Sequence, residues 1–322
     1  MDKKGNFPRK LTGREKYEKR AERHRPTRLR DMGQWIVECD ESLSKRLSEV
    51  AEDICKGEGA KIIRLIGPTC SGKTTAANML MKRFADLGKN LHTISIDDFY
   101  FDTRTLHQIS EEKGSAEIDY DSPDTIDLAA LKNFIREIFD NDRSHCPIFD
   151  FTKGQRTGYR EYECGDDDIF LFEGIQVLYP CVSDIFADVG HPTVEIYIAP
   201  QSSISIGGSV FSPNEIRLMR RIVRDRNFRS SEADFTFSLW GGVRRNEEKN
   251  IFPYVGECKY SIDSTMPYEI GVLKPYLISA LECIKKDSPY ANEANTILER
   301  VANVLPIDSA LVPEDSIYKE FV

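Results

Sequence analysis

With 322 residues, 40% of them hydrophobic, the chain is large enough to bury the core of one elaborated domain with appendages. Its net charge of −9 is unevenly placed: residues 1–30 hold 12 Lys/Arg against 4 Asp/Glu, so the remainder carries −17, which argues against a nucleic-acid-binding globule because phosphate contacts need a basic face. Eight cysteines without a CxxC or a Cys/His cluster argue against a disulfide framework or a zinc site and suit a reducing, cytoplasmic setting, and no apolar run suits a secretory signal or a membrane span.

Residues 1–39 read as a basic, partly disordered arm, too poor in apolar side chains to offset the entropy of ordering. From Asp40 the positions Leu43, Leu47, Val50, Ala51 and Ile54 follow helical spacing up to Gly57, which predicts a leading helix over 40–58. A main domain over 59–287 follows. It opens with an apolar strand at Lys61–Ile66, a glycine-containing turn and a helix over Thr74–Leu87.

Alternation then continues: strand Leu91–Ile96, helix near Leu128–Phe139, strands Ile148–Phe151 and Ile169–Phe172, helix near Val177–Phe186, strand Val194–Ala199, helix Asn214–Phe228. Strands separated by helices predict an α/β fold whose parallel sheet is covered on both faces. Helices at Ile270–Ile284 and Ala291–Val304 make the C-terminal part helical, with residues 288–322 read as a last helix and a tail.

The turn Gly67-Pro68-Thr69-Cys70-Ser71-Gly72-Lys73-Thr74, followed by Thr75, matches G-x-x-x-x-G-K-[ST] between a buried strand and a helix. Such a loop wraps an anion with backbone N–H groups at the positive end of a helix dipole. Lys73 is expected to reach the β- and γ-phosphates of ATP, and the Thr74 hydroxyl to hold Mg²⁺. Cys70 reads as a small filler within the loop.

In an open α/β sheet the ligand lies beyond the carboxyl ends of the strands. Two runs end there in acid: Leu91–Ile96 leads into Asp97-Asp98, and Ile169–Phe172 into Glu173-Gly174. Phosphoryl transfer needs a carboxylate to accept the acceptor's proton and carboxylates near the metal, roles that fit Asp97 and Glu173. Downstream, Ile216, Met219, Ile222 and Val223 mark one face of a helix whose arginines project elsewhere, as in a lid near 214–245 that closes on ATP.

Together, Gly67–Thr75, Ser95–Tyr100, Tyr120–Asp127, Pro147–Phe151, Phe172–Ile175 and Arg217–Arg229 resemble the uridine kinase and phosphoribulokinase family, and Met266–Tyr276 is similar to the C-terminal part of bacterial uridine kinase-like proteins. The resemblance implies a P-loop NTPase fold of nucleoside-monophosphate-kinase type with a helical lid. It implies Asp97 as base and metal neighbour, Glu173 as a metal-site carboxylate, and Arg221 and Arg224 on the phosphates. On the acceptor side it implies Asp121 as the ribose clamp, Tyr120, Phe149 and Phe151 around the base, and Tyr100, Arg156, Ile175 and Arg229 in contact with substrate. Where uridine kinases carry a Tyr and a His at the pyrimidine edge, this chain has Phe149 and Gly154.

The expectation is an ATP- and Mg²⁺-dependent kinase of a nucleoside 5′-hydroxyl, with a nucleoside-like small molecule as its partner and self-association left open. A kinase of another small alcohol, or a P-loop regulator without small-molecule kinase activity, are the alternatives.

Overall fold

The computed structural model describes residues 18–57, 59–112, 114, 118 and 122–322. In chain order it begins with β1 (Glu18–Arg20), α1 (Ala21–His24), α2 (Leu29–Lys56), β2 (Ile62–Ile66), α3 (Lys73–Asp86), β3 (Asn90–Ser95), α4 (Thr103–Glu112) and α5 (Leu128–Asp140). Next come β4 (Arg143–Asp150), β5 (Gln155–Glu163), β6 (Asp168–Gly174), α6 (Pro180–Val189), β7 (Thr193–Ala199), β8 (Ser203–Ile206) and β9 (Ser209–Phe211). The remaining elements are α7 (Pro213–Arg229), α8 (Ala233–Asn250), β10 (Tyr260–Asp263), α9 (Glu269–Leu281) and α10 (Ala291–Ala302).

The central sheet has the order β10-β7-β2-β6-β3, with every neighbouring pair parallel. All five residues of β2 are buried, as expected of a strand covered on both faces. Ile63 and Leu65 join an apolar layer with α2, α3, α7 and α9. Ile62 and Ile66 join the opposite layer with α5 and α6. The expected fold class, a parallel sheet flanked by helices, is the one observed.

Five local features differ from the sequence reading. Helix α2 starts at Leu29, eleven residues before the expected start at Asp40, because Met32, Trp35 and Ile36 extend the buried stripe by two more turns. The predicted strand around Ile148–Phe151 is not in the main sheet: β4 pairs antiparallel with β5 in a separate hairpin. Residues 201–213 form the β8–β9 hairpin, against which β1 pairs in parallel. Short β10 adds a parallel edge strand to β7. Finally, the helix expected near Val177–Phe186 is split into a 3-10 turn (Gln176–Leu178) and α6, since Pro180 holds the first helical position of α6 and keeps Tyr179 extended. Among the described residues no helix is long and apolar enough to cross a membrane.

Candidate active site

Register brings the three functional strand ends together. Leu65 pairs with Glu173 and Ile66 with Gly174, so the loop that starts at Gly67 leaves the sheet beside Glu173. On the other side of β6, Ser95 pairs with Glu173, and Asp97 follows two residues later in a 3-10 turn over Ile96–Phe99. Loop, Glu173 and Asp97 therefore share one rim, the carboxyl end of the sheet, as the strand order predicts.

Within the loop, Gly72 has φ +89 and Cys70 φ +57, and α3 starts at Lys73. Lys73 Nζ donates to the Gly67 carbonyl at 2.7 Å and approaches that of Pro68 at 3.4 Å. At Gly67 a Cβ would overlap the Ile198 carbonyl and Ser71 Oγ, so glycine there is a packing requirement. Thr74 is exposed and Thr75 half-buried, while Ser71 Oγ is buried without a hydrogen-bond partner. Burial pushes the Cys70 thiol up, which fits a filler and not a reactive nucleophile.

Asp97 carries an unfavourable charge. Burial, and then the neighbouring Glu173, push its carboxyl up to about 6, against the stabilising pull of Gln176 and Lys73. Two carboxylates beside the phosphate loop offer hard oxygen ligands, and with the Thr74 hydroxyl they form a donor set that fits Mg²⁺. Among the described residues no group of three or more His, Cys, Asp or Glu could hold a metal by itself, so a cation here would rely on two carboxylates and on phosphate oxygens.

Gln176 is a site residue that the sequence reading missed. Its Nε2 donates to Asp97 Oδ1 at 2.9 Å and to the Tyr100 hydroxyl at 2.7 Å, which ties the expected base to the acceptor-side aromatic. The amide fits because Gly174 has no side chain: a Cβ there would stand 2.8 Å from Gln176 Oε1. Its signal was a polar residue between Ile175 and Val177, two places after a strand-ending acid and a glycine.

The rings of Tyr100, Phe149 and Phe151 meet edge to face, with centroids 5.1–6.1 Å apart. Phe151 is 65% exposed and so has a face free to stack. Asp98 fixes this wall by accepting from the Phe149 backbone N–H at 3.1 Å, and Asp102 accepts from that of Arg156 at 2.9 Å. Arg156 itself turns inward, to Asp127 at 3.1 Å and to the Phe99 carbonyl at 3.1 Å. Ile175 precedes the 3-10 turn that carries Gln176. Tyr120 and Asp121 lie outside the described residues.

The arginines of α7 divide into two sets. Arg217 and Arg220 are buried and bidentate, to Glu247 (2.8 and 2.7 Å) and Glu269 (2.8 and 3.1 Å) respectively. Arg220 also donates to the Cys70 carbonyl at 3.2 Å, so it braces the phosphate loop. Arg221, Arg224 and Arg229, the three with expected ligand roles, converge on Asp225 at 3.2, 2.8 and 3.7 Å. Burial works against the charge of Asp225, but these arginines hold its carboxyl below the usual carboxylate range. With Ile216, Met219, Ile222 and Val223 all buried, α7 is anchored along one face while this cluster sits on its other side.

Residues Ser316–Val322 cover the loop from the far end of the sequence. Ile317, Tyr318 and Phe321 are fully buried, and a Cβ on Gly72 would overlap Ile317 Cδ1 and Cγ1.

The Phosphoribulokinase / Uridine kinase family model matches residues 62–265. Uridine-cytidine kinase B of Dictyostelium discoideum is 30% identical over 210 residues, covering 64% of this chain and 74% of that protein. A uridine kinase of Clostridium novyi (strain NT) is 26% identical over 213 residues, covering 63% of this chain and 91% of that one. Among solved structures, phosphoribulokinase from Rhodobacter spheroides aligns with a TM-score of 0.42 at 13% identity, covering 77% of this chain and 99% of that one. With more than half of its length matched by the family model, and the phosphate loop and both strand-end carboxylates inside the match, the chain belongs to the phosphoribulokinase/uridine kinase family.

Proposed function

We propose that this chain is an ATP-dependent kinase that phosphorylates the 5′-hydroxyl of a pyrimidine nucleoside. One observation carries the reading: Asp97, its carboxyl pushed up to about 6 by burial and by Glu173, stands at the strand end beside the phosphate loop, as a proton acceptor for an incoming hydroxyl must. Asp97 takes the hydroxyl proton, the oxygen attacks the γ-phosphorus, the bond to the β–γ bridging oxygen breaks and ADP leaves. Lys73 and the loop N–H groups orient the phosphates. Mg²⁺, held by Thr74 and Glu173 with Asp97 as neighbour, would neutralise charge on the β- and γ-oxygens when bound. Arg221 and Arg224 are the cations available for the transferred group, provided they exchange Asp225 for phosphate.

On the acceptor side, Tyr100, Phe149 and Phe151 provide stacking surface, and Asp121 is assigned the ribose hydroxyls by family resemblance. The names of the curated relatives favour a uridine- or cytidine-like acceptor. Phe149 and Gly154 offer no side-chain hydrogen bond to a base edge, which supports a site that reads ribose more strongly than base.

ADP release from purified protein with Mg·ATP tests this against a panel of nucleosides, 2′-deoxynucleosides, sugar phosphates and other small alcohols. Turnover should be highest with uridine or cytidine, and Asp97→Asn should lower kcat by about 10²–10⁴-fold with ATP binding retained. Turnover with a different alcohol alone would move the acceptor assignment. Absence of turnover with every alcohol would favour a nucleotide-binding regulator.

A further inference from the structure

We propose that the segment Ser316–Val322 occupies the ground that a nucleoside triphosphate must take, so that nucleotide binding has to displace it. The proposal rests on the reading of residues 67–75 as a triphosphate site. On one side the segment touches the phosphate loop, where Ile317 packs on the Cα of Gly72, inside the turn that should wrap an anion. On the other side it touches the arginine helix: Asn227 Nδ2 donates to the Phe321 carbonyl at 3.1 Å, and the Arg220 guanidinium lies 5.3 Å from the ring centres of both Tyr318 and Phe321. A chain segment wedged between a phosphate loop and the helix bearing the phosphate-binding arginines lies where the polyphosphate should run.

The chemistry of Glu320 points the same way. Its Oε2 is buried and has no hydrogen-bond partner. Burial disfavours its charge, while Lys73, Arg224 and Arg220 favour it. Of these, Lys73 and Arg224 are the cations a polyphosphate would recruit, so Glu320 presents one negative charge where ATP would bring several. Carboxylate and phosphates repel each other, and the two arrangements exclude one another.

At its start the segment is held by a contact that ATP leaves untouched: Ser316 Oγ donates to Asp40 Oδ1 at 2.5 Å. The stretch from Ile317 to Phe321 swings out against that anchor and gives up the hydrogen bond from the Tyr318 hydroxyl to Glu269. A competitor tethered within the same molecule raises the apparent Kd for nucleotide by the inverse of the fraction of molecules in which it has left.

The unmodified 322-residue chain gives the first test. Trypsin cleavage after Lys319 is followed by mass spectrometry with and without Mg²⁺ and a non-hydrolysable ATP analogue, at concentrations shown by equilibrium dialysis to saturate the site. Cleavage should accelerate at least about tenfold with nucleotide, as the open population rises. An unchanged or slower rate at saturation would mean the segment stays in place beside the nucleotide, and would overturn the proposal. Failure of the analogue to bind at all would overturn the triphosphate reading first and this inference with it. In a second arm, Ile317→Ser and Glu320→Gln should each tighten binding of a fluorescent ATP analogue, about tenfold for Ile317→Ser, because each loosens the competitor. Weaker binding by variants that keep the wild-type circular dichroism would show that the segment helps to build the nucleotide site.

Discussion

Asp97→Asn should stabilise the folded protein while it removes catalysis, and the size of the gain follows from the crowding of two carboxylates. Raising the Asp97 carboxyl from 3.8 to about 6 disfavours its ionised form by about 3 kcal/mol, at ~1.36 kcal/mol per pH unit. Because the folded-state value lies above the unfolded one, the penalty is absent below about pH 4, grows through the interval up to about 6, and is complete at pH 7.5. Asparagine keeps an oxygen for Gln176 Nε2 and cannot ionise. Since Asp97 retains some solvent contact, a gain of about 1–3 kcal/mol is expected at pH 7.5, or about 2–6 °C in Tm for a chain of this size. Differential scanning calorimetry of both proteins without nucleotide or Mg²⁺, at pH 7.5 and 4.5, measures it. A variant no more stable than wild type at pH 7.5, or a gap that does not shrink in acid, would refute the crowding argument.

Lys73→Ala should abolish turnover, by at least about 10³-fold in kcat/KM, with Tm within about 2 °C of wild type, because the lysine's hydrogen bonds are to loop carbonyls and no core cavity opens. Gln176→Leu should lower kcat about 10–100-fold while KM for ATP holds, as a positioning residue for Asp97 and Tyr100 would; a change confined to Tm would make it purely structural. Arg220→Met should cost about 3–5 kcal/mol in urea unfolding, because it strands the buried Glu269 carboxylate, and a loss under 1 kcal/mol would contradict that role. For acceptors, kcat/KM should differ by less than about 200-fold between uridine and cytidine and by more when the 2′-hydroxyl is removed; the reverse order would overturn the roles given to Asp121 and Phe149.

How legible the fold was depended on whether each element's partners could be read locally. Strands β2, β6 and β7 announce themselves because strands covered on both faces are mostly apolar, the edge strand β3 by its buried Leu91 and Ile94, and the phosphate loop because its chemistry is fixed by eight contiguous positions and their spacing. Strand β5 escaped notice because it is largely exposed and its Arg, Tyr and Glu side chains carry no apolar alternation. The β8–β9 hairpin was hidden by its serines and glycines, which look like loop until β1 pairs beside it. In the site, Asp97 and Glu173 were legible as acids at strand ends. The buried partners of Arg217 and Arg220 were not, since Glu247 and Glu269 lie 30 and 49 residues away and nothing local marks the pairing.

The cover on the phosphate loop also bears on the order in which the molecule assembles. Strand β2, the loop and α3 are contiguous, so the anion-binding turn can form from local contacts soon after its own sequence is collapsed. Ile317 reaches Gly72 only by closing about 245 residues of chain, an entropic charge of about 5 kcal/mol on the (3/2)RT ln n scale if the intervening chain is unstructured. Prior folding of β3 to α10 shortens that loop to little more than the distance from Asp40 and Glu269, where Ser316 and Tyr318 attach. Docking of the segment therefore belongs among the last folding events, and the unfinished molecule presents an uncovered phosphate loop. Refolding followed by stopped-flow with a fluorescent nucleotide should reveal a transient phase of faster binding, which decays as Ile317 seats.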